Sequence, residues 1–188
     1  MPSLFDHPAF RDEDELNVII EAPRGSRNKY AYEPDDALFV LKSVLPAGAS
    51  FPFDFGFIPS TLGEDGDPLD VLVLMDAPAF PGCLVPSRLV GGIEAEQTER
   101  DGEKVRNDRL IAVAAKSHTH RDVKSLDDLN ATLVEEIEHF FASYNEIRGK
   151  RFEPLRRVGP EGALEKVREG MARVRRKKTR SRAKTRKK

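Results

Sequence analysis

The chain has 188 residues, 39% of them hydrophobic and 34% charged, with a single cysteine and a formal net charge of −1. That length suits one domain around a single core. The apolar content is too low for a membrane protein, and no stretch approaches the ~18 unbroken apolar residues needed to cross a bilayer. Cys83 stands alone, so no internal disulfide can form. Its small apolar setting between Gly82 and Leu84 marks it as core filler rather than nucleophile.

The N-terminal sixteen residues lack a positive start followed by an apolar run, so they do not read as a signal peptide, and a cytoplasmic protein is expected. Residues 17–22 read as a strand ended by Pro23, residues 29–33 as a second after the turn at Gly25–Asn28, and residues 38–44 as a third stopped by Pro46 and Gly48. In the extended segment that follows, Phe51, Phe53, Phe55 and Phe57 fall on one face. Further strands are expected at 71–74, 84–90, 91–96 and 110–114. Helices come late. Ser125 to Asp128 has the form of a capped start. Leu129, Leu133, Ile137, Phe141 and Tyr144 then recur at helical spacing, with Gly149 as the stop. A second helix is expected from about Glu161, with Leu164, Val167, Met171 and Val174 on one face. Many short strands followed by two helices imply an α+β, mainly β fold: a small barrel with helices packed on it.

Charge is distributed unevenly. Residues 171–188 hold 11 of the 31 Lys and Arg and none of the 32 acids, which leaves residues 1–170 with 20 basic and 32 acidic residues, a net of −12. Such a body attracts cations and repels bare nucleic acid. The expected organisation is one domain, 1–174, with a disordered basic tail, 175–188, whose alternative use is binding RNA or an acidic partner.

The most informative segment is Asp65-Gly66-Asp67-Pro68-Leu69-Asp70. Three carboxylates within six residues repel one another unless water or a cation screens them, and hard oxygen ligands at this spacing suit Mg²⁺ or, alternatively, Mn²⁺. The spacing is not that of an EF-hand, whose obligatory Gly falls at position six. Nucleotide-binding glycine loops and a serine-nucleophile elbow are absent. His118 and His120 lack a nearby third ligand and read as a loop feature.

Together with the apolar run Val71-Leu72-Val73, this segment closely resembles the signature of the soluble, OB-fold (family I) inorganic pyrophosphatases. Ile20-Glu21-Ala22-Pro23, Asn28-Lys29-Tyr30, Phe51-Pro52, Gly56-Phe57-Ile58-Pro59, Leu110-Ile111-Ala112-Val113 and Tyr144 match in order, over roughly residues 15–175. The resemblance implies a five-stranded OB-like closed barrel with flanking C-terminal helices, Mg²⁺-dependent hydrolysis of pyrophosphate, and a homo-oligomer, a hexamer for a chain of this length. It assigns Asp65 and Asp70 as metal ligands, with Glu21, Glu96 and Asn107 as further metal positions. Asp67 would accept the proton of the attacking water. Lys29, Lys42, Arg109 and Tyr144 would bind phosphoryl oxygens.

The chain also departs from the family pattern, which makes it a divergent member. An acid after Lys-Tyr is Ala31, with Glu33 as its partial replacement. Two tyrosines are Phe51 and Phe55, a metal-binding Asp is Asn107, and a Lys after Tyr144 is Asn145. Lys42 stands for an Arg, and Arg106 and Arg148 are candidate substitutes for lost positive charge. These losses imply a slowed pyrophosphatase, a hydrolase of another diphosphate or phosphoanhydride, or a non-catalytic OB-type module with a nucleic-acid-binding tail.

Overall fold

β-branched and aromatic runs bounded by turns become strands here for the usual reason: branched side chains pack well on a pleated surface. The computed structural model describes residues 3–185. Its strands are β1 (Leu16–Ala22), β2 (Asn28–Glu33), β3 (Leu38–Val44), β4 (Asp54–Ile58), β5 (Leu69–Leu74), β6 (Leu84–Thr98), β7 (Lys104–Arg106), β8 (Arg109–Ala114) and β9 (Arg151–Val158). The α-helices are α1 (Ala131–Ile147) and α2 (Pro160–Thr185).

The pairings close on themselves. β1 pairs antiparallel with β4, β4 with β5, β5 parallel with β8, β8 antiparallel with β6, and β6 antiparallel with β1. This ring of five strands is the expected barrel. β2 and β3 form a separate hairpin sheet. β5 and β8 are buried on both faces, which is why they read as continuous apolar runs. Leu72, Leu74, Ile111 and Val113 join a core with Ile137 and Phe141 of α1. The alternate residues Val71, Val73, Leu110 and Ala112 join a second core with Ala163 and Val167 of α2.

Several details differ from the sequence reading, among them the short β7, which was not expected. Residues 84–90 and 91–96 form one strand of 15 residues, because Gly91 and Gly92 bend it without ending it. The β6–β8 register shifts between Leu89 and Gly91, and a Cβ on Gly91 would stand 2.5 Å from the Val158 carbonyl oxygen. β9 was not expected, since Arg-Phe-Glu-Pro-Leu-Arg-Arg-Val has no clean alternation and only Phe152 is fully buried. Ser125 to Asp128 caps a short 3-10 turn instead of α1, which starts one turn later with Asn130 accepting from the Thr132 N–H.

The segment expected to be disordered from 175 continues α2 to Thr185, and residues 186–188 lie outside the described residues. Lys, Arg and Ala are good helix formers, so the helix already begun at Pro160 propagates into them. Among the described residues, no helix is long and apolar enough to cross a membrane.

Candidate active site

The loop before β5 is shaped by its glycines. Gly66 takes φ 93°, and the Gly63 N–H donates to the Asp67 carbonyl at 2.7 Å, closing the bend. A Cβ on Gly63 would lie 2.6 Å from Asp65 Oδ1, so only glycine lets that carboxylate fold back, where it accepts from the Asp67 N–H at 3.2 Å. Leu69 then anchors the loop, its N–H donating to Thr61 Oγ1 at 3.0 Å in the buried base.

The loop lines a cavity of about 800 Å³ into which other elements also point side chains. β1 supplies Glu21, β2 Lys29, β3 Lys42, the loop and β5 Asp65, Asp67 and Asp70, and β8 with its preceding turn Asn107 and Arg109; α1 supplies Tyr144. Nine of the ten residues named by the resemblance therefore meet around one space.

The tenth, Glu96, does not. Its carboxylate pairs with Lys104 at 2.5 Å on the other face of β6. Gln97 takes the inward place, and successive strand residues point to opposite faces, so a one-residue error in placing the ligand moved it out of the site.

Arg109 organises the centre. Its side chain is only 4% exposed, and Nη1 donates to Asp70 at 2.5 Å and to Asn107 Oδ1. Its guanidinium lies 5.1 Å from the Phe141 ring centroid and 5.5 Å from that of Phe152, a placement that favours a weakly hydrated, delocalised cation. The Arg109 Nε is buried with no partner among the described residues. Asn107 Nδ2 donates onward to Gln97 Oε1 at 3.1 Å, Gln97 donates to Glu99, and Glu99 pairs with Lys150 at 2.7 Å. This polar wall includes Gln97, Glu99 and Lys150, which the sequence reading missed. Lys150 follows a helix-ending glycine and carries no motif.

Lys29 pairs with Glu21, and its Nζ stands 4.2 Å from the Phe55 ring centroid. Phe55, where the family pattern has a tyrosine, thus offers a π face to the cation. Lys42 pairs with Glu33 at the cavity edge, so Glu33 does line the site where Ala31 cannot supply an acid. Asn145 is buried and donates to the Phe141 carbonyl at 2.9 Å, away from the cavity, whereas Arg148 reaches the Tyr144 hydroxyl at 3.0 Å and lines it. Arg106 does not substitute there. It pairs with Glu94 at 3.1 Å and Asp108 at 2.9 Å, in a small cleft behind the loop. Asp108, next to Asn107, faces away from the large cavity and accepts from the Ala95 N–H at 3.0 Å.

The carboxylates repel one another's charge. Burial, then the neighbouring Asp70, raises the Asp65 pKa to about 6. The same two causes raise Asp67, and burial raises Glu21 against the opposing pull of Lys29.

Known proteins share this fold and much of this sequence. The family profile described as inorganic pyrophosphatase matches residues 18–175. The chain is similar to the inorganic pyrophosphatase of Synechocystis sp., 43% identical over 140 residues, 74% of this chain and 80% of that one. It is 40% identical to that of Thermus thermophilus over 161 residues, 84% and 89% of the two chains. The crystal structure of the Thermus thermophilus inorganic pyrophosphatase superposes with a TM-score of 0.83 over 93% of this chain and 99% of that one, at 36% identity. A Helicobacter pylori inorganic pyrophosphatase structure gives a TM-score of 0.81 over 89% and 98%, at 30% identity.

Proposed function

The chain belongs to the inorganic pyrophosphatase family, and on that premise we propose that it hydrolyses inorganic pyrophosphate to two phosphates with Mg²⁺. One observation carries this: a single cavity in which Asp65, Asp67 and Asp70 face Lys29, Arg109 and Tyr144. Carboxylates alone would repel an anion; carboxylates with fixed cations opposite form a site for a metal and a phosphoryl group together.

The donor set fits Mg²⁺. It consists of oxygens only, and Mg²⁺ takes one or two carboxylates while keeping several waters. No group of three acids, His or Cys among the described residues is already drawn together as a chelate, which such a water-rich ion does not require. The upward shift of Asp65 reflects burial and like-charge crowding, and a divalent cation relieves the crowding. Asp65 and Asp70 would hold the ion, with the Asn107 amide oxygen beside them and Glu21 serving an outer position. When bound, the ion supplies Lewis acidity toward water and phosphoryl oxygen.

The chain's own groups do the rest. Asp67 takes the proton of the attacking water at a carboxylate oxygen. The water oxygen bonds to one phosphorus while the bridging P–O bond breaks, and the bridging oxygen leaves with the second phosphate. Lys29 and Arg109 balance the charge on the phosphoryl oxygens, Tyr144 donates its hydroxyl hydrogen to them, and Lys42 holds the far phosphate at the rim.

The family match over residues 18–175 supports a catalytic body of residues 1–174, with the basic end of α2 following it. The family resemblance supports a cytoplasmic homo-oligomer, a hexamer.

The test is phosphate release from pyrophosphate, tripolyphosphate and nucleoside triphosphates with Mg²⁺, against a metal-free control. Pyrophosphate is the preferred substrate, and Asp70→Asn, which deletes a charged ligand and a partner of Arg109, lowers turnover by at least ~10². Normal Mg²⁺-dependent turnover in that variant overturns the assignment.

A further inference from the structure

Residues 1–170, which surround the active cavity, carry a net of −12, while a diphosphate remains an anion even with one Mg²⁺ bound. A field of that sign opposes substrate capture. The compensating charge therefore matters by its position, and α2 does not leave the body at Val174. The Gly170 carbonyl accepts from the Leu62 N–H at 3.2 Å. Arg173 reaches the Leu62 carbonyl at 3.4 Å and Glu64 at 3.2 Å. One turn further, Lys178 pairs with Asp6 at 2.7 Å.

Glu64 precedes Asp65 and Asp6 follows Phe5, and both Asp65 and Phe5 line the large cavity. The helix between Arg173 and Lys178 thus runs from the cleft behind the Asp65 loop to the chain beside Phe5, and the Lys177 charge acts on Asp67. Lys177 lies four residues after Arg173, hence on the same helix face as the residue that grips the loop. Arg175, Arg176, Lys177 and Arg180 are exposed and make no ion pair among the described residues.

We propose that the basic end of α2 is a substrate-collecting rim of the active site, its ligands being small polyphosphate anions. This rests on the pyrophosphatase reading. The rim's charges face solvent beside the cavity mouth, where they offset the field of the acidic body along the approach path. Such a field raises local substrate concentration and on-rate by roughly 10 to 10³. Its reach is the Debye length, about 10 Å at 0.1 M salt, so the effect depends on ionic strength.

The test uses the full-length chain with Arg175→Gln, Arg176→Gln and Lys177→Gln together, which keeps the anchors Arg173 and Lys178 and the helix propensity. kcat and KM for pyrophosphate are measured from low to high salt, and binding of imidodiphosphate, a non-hydrolysable diphosphate, is measured by calorimetry with Mg²⁺. The expected result at low salt is a roughly tenfold fall in kcat/KM with kcat kept, closing to about twofold at 0.5 M salt as screening takes over. Imidodiphosphate affinity falls in parallel. Unchanged kcat/KM and affinity at low salt overturn the proposal. So does a loss equal at every salt concentration, which marks a structural role, or a loss confined to RNA binding in a parallel titration, which marks a nucleic-acid arm. If the unmodified chain hydrolyses no pyrophosphate, the pyrophosphatase reading fails, and the imidodiphosphate titration still decides the rim.

Discussion

Gly170→Ala sets two ordinary effects against each other. In an exposed helix interior the change would stabilise by about 1 kcal/mol, since glycine loses more backbone entropy on folding. Here the new Cβ would stand 2.9 Å from Leu69 Cδ1, 3.2 Å from Thr61 Cβ and 3.3 Å from the Leu62 nitrogen. The Leu69 methyl can swing aside, but Thr61 cannot. Its hydroxyl donates to the Ile58 carbonyl at 2.6 Å and accepts from the Leu69 N–H at 3.0 Å. α2 must therefore back away by a few tenths of an ångström. Overpacking of this kind costs about 1–3 kcal/mol, and stretching the Leu62 to Gly170 hydrogen bond costs up to about 1 kcal/mol more. Crowding outweighs propensity, for a net loss of about 1–2 kcal/mol. Because residues 61–69 carry Asp65 and Asp67, the same displacement loosens the metal loop. Urea denaturation reads the stability, and Mg²⁺ titration of pyrophosphate hydrolysis reads the site. The expected outcome is a lower midpoint together with a several-fold higher Mg²⁺ requirement. A more stable variant with an unchanged Mg²⁺ requirement would refute the reasoning.

Two further outcomes follow from other parts of the molecule. Phe55→Tyr places a hydroxyl on the ring that Lys29 faces at 4.2 Å; a hydrogen bond to a charged oxygen is worth about 1.5–3 kcal/mol, so pyrophosphate turnover should rise by roughly 10-fold or more, and a fall would mean the pocket is built around phenylalanine. Glu94 is held by Arg156 first, with Arg106 and Lys166, which lowers its pKa from 4.5 to about 2. That stabilisation is present above the ordinary carboxylate range and is lost as pH falls from about 4.5 to about 2, so Glu94→Gln should cost roughly 2 kcal/mol at pH 7, discounted for the exposure of Arg156. It should also flatten the acid limb of the stability curve, and an acid limb identical to wild type would count against the cluster.

The site was legible in the sequence to an uneven degree, for physical reasons. Asp65, Asp67 and Asp70 could be read because their clustering is local: one bend, shaped by Gly66 and Pro68, turns all three toward one cavity. The α1 stripe and the apolar runs of β5 and β8 could be read because periodicity and burial leave a direct mark on composition. β9 left no such mark, since Arg156 and Arg157 pair with Glu94 and Glu138 from other elements. Glu96 and Gln97 are indistinguishable in a string of polar residues; only the pairing register of β6 decides which one faces inward. Lys150 enters the site because β9 pairs with β6 and thereby swings the α1–β9 turn over the cavity. The basic run at 175–180 announces its charge in the sequence, but its place beside the metal loop is set by Gly170, where a missing Cβ lets α2 approach. Composition and local spacing determined the chemistry and the barrel's strands, while register and close helix packing, which depend on residues far apart in the chain, decided which charges share the cavity.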